Sequence, residues 1–204
     1  MESYNKPKIV LIPDPKGIDK AIQELQLGFR DLAWLDTVFG RAFVQKEKVS
    51  VSEGEAQAFG TSNRPREIVY PECNGRNNEP INVMPNDNCK GMAFFYKRDP
   101  SLYEDYDQLS NQAIVTAPIS IIVWVNMKKI DPMRDYRYFS ALIEDLHNIL
   151  LRFHSLKLIR TFEQFDKVFS DFTLTETYRQ YNKWPFAAIK IEAELSYAVL
   201  PENC

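Results

Sequence analysis

Histidine, cysteine and glycine are scarce in this 204-residue chain, and none of the three is spaced for chemistry. Cys73, Cys89 and Cys204 stand at unrelated spacings with no CxxC pair, which excludes the usual zinc-ligand patterns. Their simplest reading is three free thiols in a reducing cytoplasm. His147 and His154 lie two helical turns apart, about 10 Å, too far for one metal ion to bind both. The glycines are scattered, with neither GxGxxG nor GxxxxGK[ST], so no phosphate cradle is visible. The longest apolar stretch, Ile119 to Val125, is the size of a strand. The opening MESYNKPKIVLIP has only a short apolar run before Pro13, insufficient for a signal-peptide core or a membrane span. No dense Lys/Arg run occurs and the net charge is −3, which argues against a protein that grips nucleic acid through phosphates. The expectation is a chain without membrane association, made in the cytoplasm and either kept there or carried out inside a particle.

What remains is a composition of ordinary globular type, 45% hydrophobic and 26% charged, enough for one core without staples. We read residues 1–204 as a single domain: an N-terminal arm over 1–16, a helix over 17–38, strands and long loops over 39–126, a helix over 131–154 and C-terminal strands over 155–204. In the first helix Ile18, Ile22, Leu25, Phe29 and Leu32 form one stripe at spacings of four and three. Leu27, Trp34 and Val38 fall on the opposite side, so this helix has a second apolar face for a loop or a neighbouring subunit to cover.

Short strand-like pieces follow near 42–51, 67–70, 81–84 and 92–97, separated by turns rich in Asn, Gly and Pro. Residues 99–107 read as an acidic loop. Ile114 to Asn126, with ISIIVWV at its centre, does not alternate and so predicts a strand buried on both faces. Asp131–Pro132 has the form of a helix start. The second helix turns Tyr138, Leu142, Leu146, Ile149 and Phe153 inward. Residues 162–172 are amphipathic and fit either a helical turn or an irregular strand. From Ala187 to Val199 the period is two: alternate apolar residues share one face, while Lys190, Glu192 and Glu194 share a face expected to be wet. Such a strand, about 40 Å long, is expected to outgrow its own sheet. The predicted fold class is α+β, a mainly antiparallel sheet of five to seven strands with two principal helices packed on one face and long polar loops.

Chemistry is hard to find in this pattern. Glu144 and His147 make a single ExxH, whereas carboxylate-bridged metal sites need two such motifs and further glutamates. The expectation is no enzyme, no catalytic residue, no metal and no cofactor.

The segments GFRDLAWLDTVFGRA, REIVYPE, INVMPNDN, WVNMKKIDP and WPFAAIKIEAELSYAV resemble, in order and spacing, small virion proteins of crAss-like and related tailed phages. The resemblance runs from about residue 15 to 200 and points to head–tail connector ring or tail-completion proteins. It implies a homo-oligomeric six- or twelve-fold ring below the portal, contacting portal and other connector or tail proteins. Such a ring seals the head–tail joint and leaves a lumen through which genomic DNA passes without specific binding. Rings need head-to-tail contacts between two different patches. One patch is assigned to Leu27, Trp34 and Val38. The other is assigned to the loops carrying Asn77, Asn78, Asn86, Asp87 and Asn88, or to the excursion over 52–66. Lys190, Glu192 and Glu194, or the acidic segment with Glu104, Asp105 and Asp107, would line the lumen and avoid holding phosphate. Two rival readings are a small-molecule or carbohydrate-binding domain using exposed tyrosines and tryptophan, and an enzyme of unknown type.

Overall fold

In a computed structural model of the chain, the described residues are 6–49, 66–75, 79–98, 100–107, 112–133, 139–173 and 181–199. They form an α+β fold around one nine-stranded sheet. The strands are β1 (Lys8–Ile9), β2 (Thr37–Val49), β3 (Arg66–Asn74), β4 (Pro80–Asn82), β5 (Gly91–Lys97), β6 (Leu102–Asp107), β7 (Gln112–Asn126), β8 (Leu156–Phe162) and β9 (Phe186–Val199). The helices are α1 (Ile18–Gly28), α2 (Met127–Ile130), α3 (Phe139–Leu150) and α4 (Phe165–Val168), with one 3-10 turn at Phe29–Asp31. The main strand order is β4-β3-β2-β5-β7-β9-β8. β1 adds to β2 in parallel, β2 and β5 are also parallel, and the remaining pairings are antiparallel. The mainly antiparallel sheet is therefore as expected, with more strands than expected.

The axis of the sheet is the β7–β9 ladder, in register from Ala113↔Val199 to Asn126↔Phe186. As its unbroken apolar run demands, β7 is buried on both faces along its centre. One face carries Ile119, Ile121, Val123 and Val125 of β7 with Ile189, Ile191, Ala193 and Leu195 of β9. Both long helices cover it, α1 through Ile18, Ile22 and Leu25, α3 through Leu142, Leu146 and Ile149. The two helices converge at Gly28, where a Cβ would stand 2.6 Å from Cζ of Phe153. A side chain there would force the Phe153 ring to shift. The other face, with Phe94, Ile122, Trp124 and Ala188, lies under α4 and the chain that follows it, through Phe165, Val168, Phe169 and Phe172. That covering segment ends on β3: the Thr173 amide donates to Val69 O at 2.7 Å, and its Oγ1 accepts from the Val69 amide at 3.1 Å. The sheet is thus covered on both sides, by helices on one and by a largely irregular layer on the other.

Several boundaries depart from the sequence reading. The first helix ends at Gly28 rather than continuing to 38, and after the 3-10 turn the chain enters β2 at Thr37. Helical periodicity persists in the sequence there. Pairing of Thr37 and Val38 with β1 on one side and β5 on the other overrides it. Leu27, Trp34 and Val38 therefore share no helical face. Trp34 and Val38 belong to the core beneath the helices, and Leu27 is left exposed by itself. Asp131 is the C-cap of α2, not a helix start, and its Oδ1 accepts from the Met133 amide at 3.0 Å. α3 occupies 139–150; Tyr138 lies outside the described residues. Residues 102–107, expected as a loop, are strand β6, paired with the first half of β7. Residues 162–172 resolve into the end of β8, one short helix and turns.

Candidate functional site: a buried charge cluster and an open cleft

The polar face of β9 is not wet. Cross-strand pairing puts Tyr96 of β5, Ser120 of β7, Glu192 of β9 and Arg160 of β8 in one row on the face that α4 overlies. Lys190 stands one row nearer the apolar end, beside Ile122 and Phe162. The side chains of Lys190 and Glu192 are only 4% and 5% exposed. Burial at this depth requires partners. Glu192 Oε1 accepts from Arg98 Nη1 at 2.7 Å, and its Oε2 accepts from Arg160 Nε. Lys190 Nζ donates to Ser170 Oγ at 3.0 Å and to Asp171 Oδ2 at 2.9 Å, both in the covering layer. It also sits 5.6 Å from the centre of the Phe162 ring. Glu194, one row further out, is half-buried and pairs with the exposed Lys157 at 2.9 Å. Of the three residues expected to line a channel, two are interior and one lies at the border. The cause is tertiary: the segment from Phe165 to Thr173 folds back over strand positions that alternate like a solvated face.

This cluster has the geometry of a tie between layers. Lys190 fastens the covering segment to β9, while Glu192 draws Arg98, after β5, and Arg160, of β8, onto the central ladder. Arg98, Arg160 and Asp171 were not singled out from the sequence, because nothing local distinguishes them from other surface charges.

The Asn-rich turn expected as an interface is a self-contained loop. Asn86 Oδ1 accepts from the Asn88 amide at 3.0 Å, Asp87 and Asn88 are exposed, and Lys129 Nζ reaches the Asp87 carbonyl. Asn77, Asn78 and nearly all of the 52–66 excursion lie outside the described residues. Of the ExxH pair, His147 Nε2 bonds Thr161 Oγ1 at 3.1 Å. Among the described residues no group of three or more His, Cys, Asp or Glu is arranged for a metal, and no helix is long and apolar enough to cross a membrane. Burial raises the Cys73 thiol far above its ordinary pKa. Cys89 is raised by burial and by Asp36, with Lys129 acting in the opposite sense.

A cleft of about 470 Å³ opens where β9 begins. Its inner wall includes Met127, Tyr181 and Phe186, the last two meeting edge to face at 4.6 Å. Glu163 and Gln164 reach it from the turn between β8 and α4, Asp166 from the first turn of α4, and Asn182 and Trp184 from the turn before β9. Sequence reasoning missed this assembly. The one available signal was a tryptophan beside a proline in the polar stretch before β9.

Fold and site together define an α+β fold whose mixed sheet is covered on both faces, with a salt-bridged interior and an open cleft. No family model, curated protein or solved structure matches the chain. The phage resemblance accordingly rests on the quoted segments alone.

Proposed function

We propose that the chain is a structural virion subunit that forms a homo-oligomeric ring at the phage head–tail junction. In this reading it sits between portal and tail proteins, seals the joint and leaves a channel for DNA. One observation supports it beyond the resemblance. At the β6–β7–β9 end of the sheet four apolar side chains are left exposed. Leu102 and Ile114 are exposed on one of its faces, Tyr103 and Val199 on the other, at 61%, 43%, 80% and 38%. Apolar groups at an uncovered sheet end favour association over solvation. A second copy of the chain is the occupant that a closed ring requires, and head-to-tail packing lets this exposed β6–β7–β9 sheet end, the exposed arm of the fold, meet a different patch on its neighbour.

Interface roles for Trp34 and Val38 are withdrawn, since buried side chains offer a neighbour no surface. Leu27 and the turn of Asn86, Asp87 and Asn88 retain exposed atoms and stay within the reading. Light scattering on the purified chain, with electron microscopy of tagged particles, tests it. A ring-sized mass, or label confined to the head–tail junction, is the expected result. A monomer at every concentration that is also absent from purified particles overturns it.

A further inference from the structure

Trp184 is the tryptophan that the fold does not use. Trp34 and Trp124 are buried, and each donates its indole N–H within the protein, to Asp145 and to the Val83 carbonyl. Trp184 is 44% exposed and borders the cleft at the start of β9. A large aromatic surface left in water costs hydrophobic free energy that a ligand recovers on stacking. The cleft volume, about 470 Å³, lies within the range of small-molecule sites.

The polar lining decides what kind of ligand fits. Glu163, Gln164, Asp166 and Asn182 are exposed side chains that converge on the same space as Trp184. Two carboxylates supply acceptors, and two carboxamides supply both donors and acceptors. Among the described residues no lysine or arginine lines the cleft. A phosphorylated or sulfated ligand would meet two negative charges and no compensating cation, so anions are disfavoured. An organic ammonium would gain from the carboxylates and from one indole face. Its N–H groups could use only the carboxamide oxygens and would leave the carboxamide NH2 donors unmatched, and Tyr181 and Phe186 are already packed on each other rather than arranged as a cage. The solute that uses every group is flat, uncharged and rimmed with hydroxyls, with one apolar C–H face for the indole.

We infer that this cleft binds a neutral saccharide, with Trp184 as the stacking platform and Glu163, Gln164, Asp166 and Asn182 receiving its hydroxyls. The inference is independent of ring assembly, because the cleft lies at the opposite end of the β7–β9 ladder from the exposed arm.

The test is saturation-transfer NMR on the intact chain with glucose, galactose, mannose and N-acetylglucosamine. Tetramethylammonium and inorganic phosphate serve as comparators. At least one sugar is expected to give a saturable signal that persists in high salt, is lost in Trp184→Ala and is retained in part by Trp184→Phe. The paired change Glu163→Gln with Asp166→Asn, made on exposed side chains, weakens the same sugar severalfold. Since the other tryptophans are buried, a sugar-dependent shift in indole emission reports Trp184. Absence of a saturable signal from all four sugars overturns the inference. So does a sugar signal unchanged in Trp184→Ala, or saturable binding of tetramethylammonium alone, which would make the cleft a cation site.

Discussion

Trp34 donates its indole N–H to Asp145 Oδ2 at 3.2 Å, joining the turn between the first helical segment and β2 to α3 across 111 positions of sequence. A residue that reads as the outer stripe of a long helix is in fact a tie within the helical layer. Trp34→Ala is expected to lower unfolding free energy by about 3–5 kcal/mol, as for other buried aromatics. Denaturant titration of the monomer checks this. A variant that keeps wild-type stability and loses only assembly would restore the interface reading of Trp34.

Glu192 and Glu194 alternate on the same face of β9, yet they should respond differently. Removing the Glu192 carboxylate takes from Arg98 and Arg160 the partner they share, and leaves the buried Lys190 with Asp171 alone of its two carboxylates. Glu192→Ala should therefore cost about 3 kcal/mol or more, the scale found when one partner of a buried pair is deleted. Glu194 pairs with a lysine that is largely in water, so Glu194→Ala should cost less than about 1 kcal/mol. Equal small effects in denaturant titrations would mean that the face is wet after all.

Cys73 gives a pH dependence of defined sign. Burial raises its folded-state pKa well above the unfolded thiol value of about 8.5. The folded protein keeps the proton that the unfolded chain releases. The contribution is fully present below that unfolded value and is lost as pH rises above it, at up to about 1.4 kcal/mol per pH unit. The urea midpoint should fall between pH 9 and 10, and Cys73→Ala should flatten that fall. In the native protein near pH 8, iodoacetamide should leave Cys73 unmodified.

The exposed arm separates assembly from folding. Tyr103→Glu and Leu102→Glu alter side chains largely in water and should change monomer stability by about 0.5 kcal/mol or less. Under the ring proposal they reduce the mass seen by light scattering to that of one chain. Full-sized rings from both variants would remove the arm from the contact.

Much of this architecture is legible along the chain because its signals are local. The central strand declares itself through an unbroken apolar run, α3 through Leu142, Leu146 and Ile149, and β9 through strict alternation. Those patterns depend only on which residues follow one another, and burial of one face enforces them. They are blind to what lies above a face. Lys190 and Glu192 alternate as solvent-facing residues do, and only the return of Phe165 to Thr173 across the sheet buries them. The end of the first helix is decided in the same way, by β1 and β5 claiming Thr37 and Val38 for a sheet. The cleft exists because the turn before α4 and the turn before β9 meet at the start of β9.

The sequence by itself determined the α+β class, the central buried strand and the two principal helices, since hydrophobic spacing within one element is enough to specify them. Tertiary structure alone decided which charges are interior, where the first helix stops, and that Trp184 borders a cleft. Each of those outcomes depends on segments far apart in the chain, and no window of neighbouring residues carries that information.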